Sequence, residues 1–141
     1  MPNRIYVNLP VADVGKSRSF YEALGFANEP MFTNEQSAGM RWCDEIYVML
    51  LSHEAWKNFT SKDIPDASGS AQVMLALALE NREAVDAMTE AAAAHGGSPD
   101  CNPKQDHGFM YGRSFEDPDG HIWEPGWMDM DAFAKMAAEA D

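Results

Sequence analysis

The stretch Ser114-Phe115-Glu116-Asp117-Pro118-Asp119-Gly120-His121-Ile122-Trp123-Glu124-Pro125-Gly126-Trp127 reads SFEDPDGHIWEPGW. Proline presets φ and glycine accepts a positive φ, so Asp117-Pro118-Asp119-Gly120 predicts a tight turn. A strand from His121 to Glu124 should follow. Side chains alternate along it, so Glu124 shares a face with Ile122, and His121 shares the other with Trp123. A lone carboxylate among aromatic residues has three readings. It is a structural hydrogen-bond acceptor, an acid–base group in an apolar setting, or a metal ligand.

Working outward, the pattern before the turn occurs twice. Ile5-Tyr6-Val7-Asn8-Leu9 alternates as a strand that Pro10 should end. Asp13 predicts the N-cap of a helix over 14–24, with Phe20, Tyr21 and Leu24 as its apolar stripe and Gly25 at its C-terminus. Strands are expected over 39–43 and 45–51, joined at Asp44-Glu45, a turn without glycine. Residues 53–59 predict a helical turn or two, and 63–70 a linker. The order then restarts. A strand is expected over 72–79, followed by a helix capped by Asn81 that runs from Arg82 to about Ala94. His95-Gly96-Gly97 stops that helix. Two or three strands are expected next, one near 108–115 and one over 121–124. Asp129 to Ala140 predicts a short amphipathic helix with Phe133 and Met136 on one side. Two strand–helix–strands halves predict an α+β fold with a curved, mostly antiparallel sheet around a cavity and helices outside.

Composition narrows the classes. The 141 residues are 45% hydrophobic, and no run approaches the roughly 18 apolar residues of a spanning helix. The opening MPNRIYVNLPV has no basic region followed by a long apolar core, so no leader peptide is expected. Cys43 and Cys101 do not make a disulfide framework, and a cytoplasmic setting is expected. Ten Lys and Arg against 23 Asp and Glu give a net charge of −13. Such a charge disfavours nucleic acid and anionic membranes as partners. No nucleophile elbow or phosphate-cradling glycine loop is present, which argues against nucleophilic hydrolysis and nucleotide chemistry.

Three features together carry a resemblance. The opening LPVADVGKSRSFYEALGF, the closing DPDG followed by Glu124, and the repeat between them resemble the vicinal oxygen chelate superfamily. That is the glyoxalase, bleomycin-resistance and extradiol-dioxygenase group. The resemblance implies one glyoxalase-like domain over 1–141, built of paired βαβββ modules. Module one would span about 1–60, module two about 70–128, and the C-terminal helix about 129–140. The resemblance also implies four cavity-facing positions where the family's enzymes hold a divalent metal. Carried over, these fall at Tyr6, near Met49, around Gln72 to Met74, and at Glu124. Neutral phenol and thioether are poor donors to Mg²⁺, Mn²⁺, Fe²⁺ or Zn²⁺. The resemblance therefore implies a degenerate metal site with no cofactor, a divalent metal being the minority alternative.

The expected ligand-binding set is Tyr6, Asn8, Met49, Gln72, Met74, Tyr111 and Glu124. Glu124 is also the candidate catalytic group, its carboxylate near Tyr6. His107 is more readily a loop residue than a base, while His53, His95 and His121 read as surface or structural. The many Met, Trp and Tyr residues read mainly as core. Some could line an adaptable apolar pocket. The preferred function is binding of a small, partly apolar molecule by a homodimer. The alternative is an enzyme of the same superfamily: a metal-dependent lyase or dioxygenase, or a metal-free isomerase using Glu124.

Overall fold

The computed structural model describes residues 2–140. The chain divides into two compact units after Ser70. Each is α+β, a mostly antiparallel sheet with helices.

In the first unit, β1 (Ile5–Val11), β4 (Ile46–Ser52), β3 (Ser37–Cys43) and β2 (Ala27–Glu29) lie in the order β1-β4-β3-β2. Only the β1–β4 pair is parallel. Pro10 does not end β1, as the sequence suggested; the strand runs through it to Val11. This strand is at the edge of its sheet, where proline's missing N–H need not cost a ladder bond. Helix α1 (Val14–Ala23) is capped by Asp13, whose side chain accepts from the Lys16 N–H at 3.0 Å. Gly25 follows at φ +105°, a conformation that favours glycine. Phe20 and Tyr21 of α1 are buried together with Leu9, Val11, Ala38, Met40, Val48 and Leu50. The alternation of the strands sends that set to one face.

The β3–β4 hairpin turns at Asp44-Glu45 as expected. A register shift between Arg41 and Cys43 accommodates the turn without glycine. Strand β2 and a 3-10 turn at Pro30–Phe32 were not legible in the sequence. Helix α2 (His53–Trp56) is a single turn, capped by the Ser52 hydroxyl.

In the second unit, the central strand β10 (Ile122–Met128) pairs with three others. It is parallel to β5 (Met74–Ala78) and antiparallel to β8 (Met110–Gly112) and β9 (Phe115–Glu116). Two-residue strands β6 (Ser98–Pro99) and β7 (Gln105–Asp106) extend the edges. The single strand expected over 108–115 is thus split into β8 and β9. Strand β10 runs four residues beyond its expected end, through Pro125. The Pro125 carbonyl accepts from the Arg113 N–H at 3.1 Å. A residue's N and O point to the same side of a strand. The missing N–H therefore faces the gap between β8 and β9, where no ladder bond is lost.

Helix α3 (Arg82–Ala94) begins at Asn81, whose side chain accepts from the Ala84 N–H at 2.8 Å. It buries Val85, Met88, Thr89 and Ala92. Helix α4 (Met130–Glu139) is capped by Asp129, and its Phe133 stacks on Phe109 with ring centroids 6.0 Å apart. No helix among the described residues is long and apolar enough to cross a membrane.

The quoted turn forms as expected. The Asp117 side chain is buried and accepts from the N–H groups of Asp119 and His121, each at 2.9 Å. Gly120 takes φ +93° and donates to the Asp117 carbonyl at 3.0 Å. These bonds feed the chain straight into β10, so the turn positions Glu124.

Candidate functional site

Strand pairing settles which side chains of the second unit share a face. Glu124 is level with Ala76, Ile122 with Met74, and Met128 with Met110. Gly126 is level with Ala78 on one side and Gly112 on the other, and Gly112 in turn with Gln105. The opposite face carries Trp123, Pro125, Trp127 and Tyr111 and meets α3. The Tyr111 hydroxyl donates to Asp86 of that helix at 2.6 Å.

The face bearing Glu124 holds a groove of about 440 Å³, bordered among others by Ala76, Ala78, Asn102, Gln105, Met110, Gly112, Glu124, Gly126 and Met128. Small residues form its floor. A Cβ added at Gly112 would come no closer than 3.9 Å to another atom, and one at Gly126 no closer than 3.6 Å. Both contacts are with carbonyl oxygens, so the space above these glycines is open. Met110 and Met128 supply flexible thioether walls.

The polar groups of the groove differ in how they are committed. Ser114 donates to the Asn102 carbonyl at 3.2 Å and accepts from the Asn102 N–H at 2.8 Å. Gln105 Oε1 lies 3.1 Å from His107 Nε2. Arg113 borders the groove, but its guanidinium is turned to α3 and the following loop. It donates to Asp86 at 3.0 Å and to Asp100 at 2.7 and 3.0 Å, and lies 2.9 Å from Glu90. Glu124 stands apart. It is half-buried, and its carboxylate makes no hydrogen bond or ion pair among the described residues.

Around the Arg113 cluster the acids are perturbed. The Arg113 hydrogen bond holds the Asp100 carboxyl below its ordinary range, against the opposing effect of burial. The Tyr111 hydroxyl does the same for Asp86, helped by Arg113. The same bond raises Tyr111. Asp106 is lowered to about 2, chiefly by its paired hydrogen bonds from Arg82. Arg82 also lies over the rings of Tyr111 and Trp127, at 5.0 and 5.4 Å. These contacts tie α3 to the sheet and leave the groove side untouched.

The expected ligand-binding residues fall into three sets. In the first unit Tyr6, Asn8 and Met49 share one sheet face, since Tyr6 is level with Tyr47 and Asn8 with Met49. Aromatic side chains pack against one another on that face, with Tyr6 and Asn8 exposed. Tyr6 stacks on Tyr47 at 5.2 Å, and Phe32 meets both rings edge-on at 6.1 Å. In the second unit Met74 and Glu124 share the groove-bearing face. Gln72 and Tyr111 do not join them. Gln72 lies two residues ahead of β5, exposed and outside the ladder. Tyr111 borders the groove, but its pairing with Trp127 sends its phenol to α3. Tyr6 and Glu124 belong to different units.

The sequence reading missed Ala76, Ala78, Gly112 and Gly126. The alternation Leu75-Ala76-Leu77-Ala78-Leu79 carried the signal: leucines to one face and alanines to the other.

Metal fit follows from the donor set. The residue level with Glu124 on β5 is Ala76, which has no donor, and the next on that face is the Met74 thioether. No three His, Cys, Asp or Glu side chains among the described residues are grouped so as to hold a metal ion. The second unit's face therefore does not fit a divalent metal, which needs several oxygen or nitrogen ligands.

A profile of the Glyoxalase/Bleomycin resistance protein/Dioxygenase superfamily matches residues 5–124. Among solved structures, a hypothetical protein from S. aureus is 26% identical, with a TM-score of 0.74 over 90% of this chain and 95% of its own. A glyoxalase-related enzyme from Fulvimarina pelagi is 21% identical, with a TM-score of 0.73 over 90% and 88%. A glyoxalase/bleomycin resistance protein/dioxygenase family enzyme from Burkholderia phytofirmans PsJN is 18% identical, with a TM-score of 0.72 over 90% and 99%. No curated protein matches the sequence.

Proposed function

This chain belongs to the glyoxalase/bleomycin resistance protein/dioxygenase superfamily, and from that premise we propose that it binds a small, partly apolar molecule in the groove of its second unit, without a metal. The observation that carries this reading is Glu124, a half-buried carboxylate with no partner among the described residues, beside an open floor of glycine and alanine. A groove of about 440 Å³ is of the order that accepts a small ligand, typically about 300–1,000 Å³. The same freedom of Glu124 favours one second reading, in which it accepts a proton from the bound molecule and the protein is a metal-free isomerase.

Filling the groove tests the binding reading. Neither Gly112 nor Gly126 has a positive φ, so Gly126→Leu and Gly112→Val add bulk without backbone strain. Titration with the neutral apolar dye Nile red should show each variant binding at least ~10-fold more weakly than wild type, with little change in melting temperature. Equal dye affinity in both variants would remove the groove as the site.

The metal-free part is tested separately. Protein purified without chelator should contain well under one Fe, Zn, Mn or Ni per chain by elemental analysis. A stoichiometric metal would reverse that part and leave the groove test standing.

A further inference from the structure

Resting on the groove reading above, we propose that the groove selects a small organic cation, a protonated amine on a flat apolar body, and that Glu124 is the residue that recognises it. A carboxylate partly withdrawn from water is costly without a hydrogen-bond donor, and a charged donor answers it best. The described residues supply none. The only cation bordering the groove, Arg113, directs its guanidinium at Asp86, Glu90 and Asp100. The remaining polar side chains of the lining are neutral amides and hydroxyls, and Glu124 is its only carboxylate. An anionic ligand would therefore meet an unscreened negative charge. It would also approach a protein of net charge −13, which attracts cations and repels anions over the scale of the Debye length.

The floor specifies the rest of the molecule. Gly112 and Gly126 lie side by side, flanked by Ala78. Together they present a flat strip of backbone and methyl groups on which a ring can lie. Met110 and Met128 are level with each other on the same face, and their thioethers can close over a ring edge. An aromatic or cyclic amine satisfies both features: its body covers the strip and its ammonium group reaches Glu124. A divalent metal does not substitute for the amine, because Ala76 and Met74 offer it no further oxygen or nitrogen donors.

The test uses three matched probes: naphthylmethylamine, neutral naphthylmethanol and anionic naphthoate, each titrated by calorimetry. Wild type should bind the amine at least ~10-fold more tightly than the alcohol, and the acid more weakly than either. In Glu124→Gln the amine and alcohol should bind within about 2-fold of each other. Gly126→Leu should lose amine and alcohol binding together. If the alcohol matches the amine in wild type and Gly126→Leu abolishes both, the cation inference falls while the groove reading stands. An amine preference that survives Glu124→Gln reflects surface charge and also overturns the inference. If Gly126→Leu leaves binding of every probe unmoved, or none of the three binds wild type, the groove reading falls and the inference with it.

Discussion

Replacing Arg113 with alanine should destabilise the protein by about 2–4 kcal/mol, the largest effect expected of any single substitution outside the apolar core. The Arg113 side chain is 6% exposed and bonded to three carboxylates, Asp86, Glu90 and Asp100. Alanine removes the cation bonded to all three and opens the space under the guanidinium stem. The carboxylates themselves are 33–66% exposed. Water can therefore reclaim them, which keeps the loss below that of a fully buried pair.

The pH dependence of this loss has a definite sign. Arg113 holds the Asp100 carboxyl below its ordinary value of 3.8, and the Tyr111 hydroxyl, helped by Arg113, does the same for Asp86. A depressed folded value contributes stability that is fully present above the unfolded value and is lost as pH falls through the folded one. The gap in melting temperature between wild type and Arg113→Ala should be full at pH 7 and shrink below about pH 4. Thermal melts of both proteins from pH 7 to pH 2.5 measure it. A gap that widens towards acid would mean that the carboxylates are not the groups that matter.

Gly39→Val should be the second most damaging change, at about 1–3 kcal/mol. Gly39 is buried in β3 of the first unit, level with Met49 on β4 and Glu29 on β2. A Cβ there would lie 2.7 Å from Phe32 Cβ and 3.4 Å from Met49 Sδ. The obstructing atom is a Cβ, so no rotation of the phenylalanine ring relieves the clash. The turn at Pro30–Phe32 must move, and with it the Thr33 hydroxyl that accepts from the Gly39 N–H at 3.2 Å. Phe32→Ala keeps the same Cβ and should not rescue Gly39→Val. Denaturant unfolding of both single variants and the double variant checks this. A double variant more stable than Gly39→Val alone would show that the ring, and not the backbone of the turn, is the obstacle.

The contrast between Gly39 and Gly126 lies in what stands over each sheet face. Both glycines lie on sheet faces turned away from their unit's main helix. At Gly39 the space a side chain would take is filled by Phe32. At Gly126 it is empty. Two strand–helix–strands halves thus share an architecture, and the residues over the face differ between them at these two positions.

Much of this was determined locally. The caps Asp13 and Asn81, helices α1 and α3, the turn at Asp117–Gly120 and the facing of Glu124 each depend on residues within a few positions. Backbone propensity, side-chain capping and strand alternation act over that range. The family resemblance was legible for the same reason, because its motifs are short and lie at the two ends of the chain. Other features rest on partners distant in sequence, and only the tertiary structure decided them. Tyr111 faces α3 because β8 pairs with β10 in a register that sets it level with Trp127. A one-residue slip would have sent it into the groove. Pro10 and Pro125 stay within strands because an edge and a gap leave their missing N–H groups without cost. The absence of a donor beside Glu124 depends on Ala76 being its neighbour across the sheet, 48 residues away along the chain. Alternation orients a side chain within its own strand, but register between strands is settled by packing, and register is what made this site a groove with one free carboxylate.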